Sequence, residues 1–148
     1  MTAIGIDYGE SRIGVAASDP LGMLAHPVET VQAQPHAAAL ERIVAIVAQR
    51  KAQRVVVGLP IRHDGTEGTT AEKVRRFTIA LAKVLPPDFP IEFQDEYGST
   101  ISAGEQLRAA GWRTHRHRPV LDQAAAVVIL QDWLNARRPQ EAFPELEA

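Results

Sequence analysis

The chain has no cysteine in 148 residues. That excludes disulfides and thiolate metal sites and fits a reducing compartment. Aromatic residues make up only 5% of the sequence, so valine, isoleucine, leucine and alanine must fill the interior. Long apolar runs are missing too: the longest, Ala124 to Leu130, is far short of the roughly 20 residues that cross a bilayer. Asp7, Glu10, Arg12 and Asp19 interrupt the first twenty residues and exclude the apolar segment of a signal peptide. A soluble, cytoplasmic protein with no membrane partner is the expectation. Charge of either sign is barely in excess, formally −2, so the total singles out no partner.

What is present is more informative. The apolar fraction of 45% suits a globular chain with a true core. The length predicts one domain, placed at residues 1–138, with 139–148 as an acidic tail carrying Glu141, Glu145 and Glu147. Arg108, Arg113, Arg116 and Arg118 crowd together with His115 and His117, so a near-neutral total conceals a basic patch.

The opening stretch, Ile4 to Asp19, reads as two short apolar strands joined by a turn at Gly9-Glu10-Ser11. Leu24 to Val31 reads as a weaker strand whose Pro27 belongs at an edge or a bulge. From His36 to about Arg50 the period becomes helical, with Leu40, Ile43, Val44 and Val47 on one face. Arg54 to Pro60 is a β-branched run expected to be buried on both faces. A polar loop follows to Gly68, then a helix capped by Thr69 or Thr70, turning Val74, Phe77, Leu81 and Leu85 inward until Pro86. Pro90 to Gln94 is a short strand delivering Asp95 and Glu96. Ser99 or Thr100 caps a helix to about Ala110, closed by Gly111. Trp112 to Arg118 reads as a basic loop, and Pro119 as the first position of a last helix running to about Arg138. Strands first in a meander and then alternating with helices argue for an α/β domain with a mixed sheet.

Three acids sit where such a fold could gather them: Asp7 at the end of the first strand, Glu96 after the last strand, and Asp122 in the first turn of the final helix. An acid ending a buried strand is costly unless paired. Three carboxylates around one crevice repel without cations; two divalent ions would resolve that and could activate water for phosphodiester cleavage. Each acid also has a plainer reading. Asp7 could hydrogen-bond its turn, Glu96 could be a solvated loop acid, and Asp122 could complement a helix dipole. Asp95 competes with Glu96, since adjacent strand residues face opposite ways.

At these residues the chain resembles the YqgF/RuvX family. The resemblance is carried by Gly5-Ile6-Asp7-Tyr8-Gly9 with Arg12-Ile13-Gly14-Val15-Ala16 and Ser18-Asp19. It continues through Val55-Val56-Val57-Gly58-Leu59-Pro60 with Asp64-Gly65, Gly68 and Ala71-Glu72-Lys73-Val74, then Asp95-Glu96 with Ser99-Thr100, and Asp122 with Ala124-Ala125 and Ile129-Leu130. It spans roughly residues 4 to 134, in the family's order. It implies an RNase H-like fold related to the RuvC Holliday-junction resolvases, with helices flanking the mixed sheet. It implies a metal-dependent nuclease acting either on the 5′ end of pre-16S ribosomal RNA or on four-way DNA junctions. The family's catalytic acids carry over onto Asp7, Glu96 and Asp122, with Asp7 expected to bridge two Mg²⁺ or Mn²⁺ ions and the other two each completing one shell. The family usually has an arginine straight after the acid pair of its third motif, where this chain has Tyr97-Gly98.

The basic stretch is the expected phosphate contact, through Arg113, Arg116 and Arg118. Arg12, Arg62, Lys73 and Arg76 are secondary nucleic-acid candidates, each with surface solubility as its plainer role. Paired cuts in a junction would suit a homodimer, whereas trimming of pre-rRNA needs only a monomer. Two rival classes stand beside the nuclease. The opening hairpin also resembles the phosphate-binding hairpin of the actin and sugar-kinase superfamily, which needs two such domains where this chain has length for one. A non-catalytic nucleic-acid-binding module would need the basic stretch and not the acids.

Overall fold

The computed structural model describes residues 1–96 and 114–137, with side chains of the second stretch from Leu121 onward. Five strands form one mixed sheet: β1 (Ala3–Tyr8), β2 (Arg12–Ser18), β3 (Ala25–Gln32), β4 (Arg54–Pro60) and β5 (Ile91–Glu96), in the order β3-β2-β1-β4-β5. β1, β2 and β3 form an antiparallel meander, and β4 and β5 run parallel to β1. Helices α1 (His36–Gln49) and α2 (Thr69–Val84) cover one face, and α3 (Thr114–Arg137) covers the other.

The local reasons are plain. In β1, Ile4 and Ile6 point to the face of α1 and α2, and the alternate residues Ala3, Gly5 and Asp7 point to α3. β4 is apolar toward both faces, because Val55, Val57 and Leu59 meet α1 and α2 while Val56 meets α3. Pro27 lies on the edge strand, and the β2–β3 register jumps there, pairing Val15 with Glu29 but Ala16 with Pro27. A residue with no N–H to give is tolerated at such an edge bulge.

Two helix starts differ from expectation. Neither Thr69 nor Thr70 caps α2; Gly68 takes that position in an extended conformation with no side-chain cap, and both threonines lie inside the helix. α3 begins at Thr114 rather than at Pro119. A proline removes one backbone donor, but the helix continues across it, so Thr114 to Arg118 is helix rather than loop. Asp122 therefore sits two turns inside α3, not in its first turn. The expected helix from Ser99 to Ala110, Tyr97-Gly98, Arg108, Trp112, Arg113 and the acidic tail all lie outside the described residues.

Candidate active site

Asp7 is the next-to-last residue of β1 and faces α3. Its partner across the β1–β2 ladder is Gly14. On the other side of β1, Ile6 pairs with Val57, which brings Gly58 alongside. Glycine at these two positions matters through space, not flexibility. A β-carbon on Gly14 would stand 2.0 Å from the main-chain oxygen of Asp122, and one on Gly58 would stand 2.4 Å from Ile129 Cδ1. A third, on Gly5, would meet Leu130 Cβ at 2.7 Å. The three central strands thus present bare backbone to α3, and the helix settles against them. That close approach delivers Asp122 to the end of β1. Sequence reading singled out no role for these glycines, although a glycine in a strand interior is the signal for close backbone approach.

Two glutamines on α3 fix its bearing on β3. Gln123 Nε2 donates to Thr30 Oγ1 at 3.1 Å, and Gln131 Oε1 accepts the Ala25 N–H at 2.8 Å. Sequence reading did not single these out, since a surface glutamine carries no distinguishing pattern.

Glu96 ends β5, paired with Pro60 of β4, and is only 6% exposed. Asp95, one residue earlier, is exposed and faces the other side of the sheet with Phe93, where its charge acts on Arg75 of α2. Strand alternation therefore separates the two acids, and Glu96 is the one on the α3 face.

Asp7 feels the other two acids. The Asp7 carboxyl is pushed up from 3.8 to about 7, first by burial, then by the charge of Asp122, then by that of Glu96. Asp7 thus lies in the negative field of its two neighbours, and all three groups offer the hard oxygen donors that Mg²⁺ and Mn²⁺ take. Among the described residues, however, no three His, Asp or Glu side chains already stand as a ready-made ligand set. A cation already stands beside one of them: Arg12 Nε donates to Asp122 Oδ2 at 3.0 Å.

The expected nucleic-acid contacts divide. Arg12 opens β2 and is engaged with Asp122. Lys73 of α2 is paired with Glu10 in the β1–β2 turn. Arg62, just beyond β4, is exposed and lines a cavity of about 200 Å³ with Pro60, Gly68 and Thr69. All three lie at the end of the sheet that carries the acids. Arg76 is on the outer face of α2. The backbones of Arg116 and Arg118 belong to α3, while their side chains and all of Arg113 lie outside the described residues. No described helix is long and apolar enough to cross a membrane.

Comparison with known proteins agrees with this architecture. The sequence model of the family described as "RuvX: Holliday junction resolvase" matches residues 1–136. A Streptomyces coelicolor protein named "Putative pre-16S rRNA nuclease" is 47% identical over 135 residues, 91% of this chain and 80% of that one. A protein of the same name from Chloroflexus aggregans is 43% identical over 137 residues, 93% of this chain and 95% of that one. Among solved structures, T. thermophilus RuvC in complex with a Holliday junction substrate aligns with a TM-score of 0.57 at 17% identity, covering 93% of this chain and 96% of that one. Fowlpox virus resolvase, complexed with substrate Holliday junction DNA, aligns with a TM-score of 0.53 at 9% identity, covering 94% of this chain and all of that one. At such identities the two structures speak for the fold, which is RNase H-like. With the family model spanning nearly the whole described length and relatives above 40% identity, this chain belongs to the RuvX family.

Proposed function

We propose that this protein is a metal-dependent endonuclease acting on structured nucleic acid, and that its task is processing the 5′ end of pre-16S ribosomal RNA in the cytoplasm. The observation that carries the proposal is that Asp7 on β1 feels the charges of both Asp122, from α3, and Glu96, from β5. Burial of apolar side chains does not require three acids at one end of the sheet. Asp7, Glu96 and Asp122 would hold two divalent cations, which supply water activation and stabilisation of the leaving oxygen. Asp7, whose carboxyl burial and its two acidic neighbours raise to about 7, would have to release its proton for cations to bind. Glu96, buried at the end of β5, contributes a carboxylate whose position is fixed by the sheet. Asp122 contributes the third from a helix held by close contact with Gly14. Arg62 would meet substrate phosphates at the acid-bearing end of the sheet, and Arg113, Arg116 and Arg118 of the basic stretch would add affinity rather than sequence preference.

The names of the relatives favour pre-16S rRNA. The family's own description favours a second reading, resolution of four-way DNA junctions. The test is cleavage of a matched panel: a pre-16S leader fragment, single-stranded RNA, a four-way DNA junction and plain duplex. Each is incubated with Mg²⁺, Mn²⁺ or chelator, for wild type and Asp7→Asn. The expected result is metal-dependent cutting of the leader fragment that Asp7→Asn loses. Preference for the junction would transfer the chemistry to DNA. Binding without cutting by wild type, or equal cutting by Asp7→Asn, would leave a binding module as the better account.

A further inference from the structure

We propose that Arg12 is a resident counter-ion for Asp122, occupying the place of a divalent cation until one binds and then turning its guanidinium to a substrate phosphate. The inference rests on the metal-dependent reading above and adds to it an order of events.

The geometry of the pair is the first observation. Arg12 meets Asp122 through Nε alone, at 3.0 Å. Two other arginines of this chain hold their carboxylates with two nitrogens each. Arg42 donates from Nε and Nη2 to Glu29 at 2.8 and 2.6 Å, and Arg75 donates from Nε and Nη2 to Glu67 at 2.7 Å each. Two parallel bonds are the strong, geometrically fixed form of this contact. A single bond leaves the η nitrogens of Arg12 without a partner among the described residues, and these are the donors that suit phosphate oxygens.

Mobility is the second. The main chain of Asp122 is confined, because its carbonyl oxygen lies where a β-carbon of Gly14 would be. The arginine is the partner able to leave, by rotation of a long side chain at the mouth of the β1–β2 turn. Both side chains are about a quarter exposed, 28% for Arg12 and 25% for Asp122, so incoming ions and nucleic acid reach the pair. The third observation is that Asp122, one of the two charges that raise the Asp7 carboxyl, is the acid that Arg12 holds. Release of Asp122 is then a step in loading the site, and the arginine released is already beside the place where a phosphate would sit.

The test measures Mn²⁺ binding to the protein without nucleic acid, by the paramagnetic resonance signal of free Mn²⁺, for wild type, Arg12→Gln and Arg12→Lys. Removing a competing charge should tighten Mn²⁺ binding in Arg12→Gln by about tenfold. Arg12→Lys, which keeps the charge, should stay near wild type. In Ca²⁺, the same Arg12→Gln protein should bind a pre-16S leader fragment more weakly, with a salt slope lower by about one. Mn²⁺ affinity in Arg12→Gln that equals wild type, or falls below it, overturns the proposal and makes Arg12 a residue that orients Asp122 for metal. Unchanged leader binding in Arg12→Gln overturns the phosphate step. If wild type itself takes up no Mn²⁺, the metal-dependent reading falls, and the counter-ion role with it.

Discussion

The two faces of the sheet are built on opposite plans. Toward α1 and α2 the strands present Ile4, Ile6, Ile13, Val15, Val55, Val57 and Leu59, packed against Leu40, Ile43, Ile46, Phe77 and Leu81. Toward α3 they present Ala3, Gly5, Gly14, Ala16, Val56 and Gly58, and the helix answers with Ala126, Ile129, Leu130 and Trp133. The first face buries bulk and separates its layers. The second removes bulk so that one helix comes down onto bare backbone. Apolar area drives folding, so the broad face contributes most of the stability. The narrow face uses closeness for another end, bringing a helical carboxylate beside two carried by strands. Cost and purpose are thus separated across a single sheet.

If that division is correct, the broad face should fail by unfolding. Phe77 is 2% exposed and stacks on Tyr8, with ring centroids 4.6 Å apart. Phe77→Ala should lower stability by about 3–5 kcal/mol, the range for a truncated core aromatic. Urea denaturation checks this. Whatever fraction remains folded should keep its metal affinity, because nothing on the α3 face has changed. Lost metal affinity in the folded fraction would mean the two faces are not separable.

The narrow face should do the reverse, giving up stability to hold charge. Asp7 has an ordinary value of 3.8 and a folded value of about 7. The folded state therefore keeps its proton more tightly than the unfolded chain. That contribution is complete below about pH 4 and is lost as pH rises through 7, a total of at most roughly 4 kcal/mol. Stability measured in chelator should fall across this window and level off above it. In Asp7→Asn that slope should largely vanish, so the variant's advantage over wild type grows from pH 4 to 7. Cleavage in the same variant should drop by at least roughly a hundredfold, the loss that even an outer partner of a metal ligand brings. Parallel pH profiles for the two proteins would detach Asp7 from the coupling.

This contrast also explains what the sequence disclosed and what it withheld. The broad face is written in residue type: the run Val55 to Leu59 reads as a strand buried on both sides, and Leu40, Ile43 and Val47 announce a helical stripe. The acids could be singled out because acids are rare at strand ends. Strand spacing alone left Asp95 competing with Glu96, and the family resemblance made the choice; the physical basis is which face β5 turns to α3, and adjacent residues differ only by that. Asp122 was placed in a first turn because Pro119 looks like a helix start, whereas the helix crosses the proline and begins at Thr114. The glycines were visible only as missing side chains. Their meaning lies in what fills the space, and that requires α3 to be in place.

A pair of matched substitutions sharpens the comparison at smaller scale. Gly14→Ala puts a methyl group at 2.0 Å from a main-chain oxygen, which no rotamer relieves, so α3 itself must shift. The expected cost is about 1–3 kcal/mol in stability. A displacement of Asp122 by even about 1 Å should lower cleavage by roughly a hundredfold. Gly58→Ala presses instead on the Ile129 side chain, 2.4 Å from Cδ1 and 3.0 Å from Cγ1, where turning the terminal methyl group gives part of the room, and at 3.5 Å merely touches Glu96 Cγ. It should cost less than about 1 kcal/mol and leave cleavage within a few-fold of wild type. Thermal melts and single-turnover cleavage on both variants supply the check. The same added methyl group, on neighbouring strands of one face, distinguishes a glycine that admits the backbone of α3 from one that admits only a side chain. Equal losses in the two variants would mean that α3 moves as a rigid rod whatever touches it, and that Gly14 has no special part in placing Asp122.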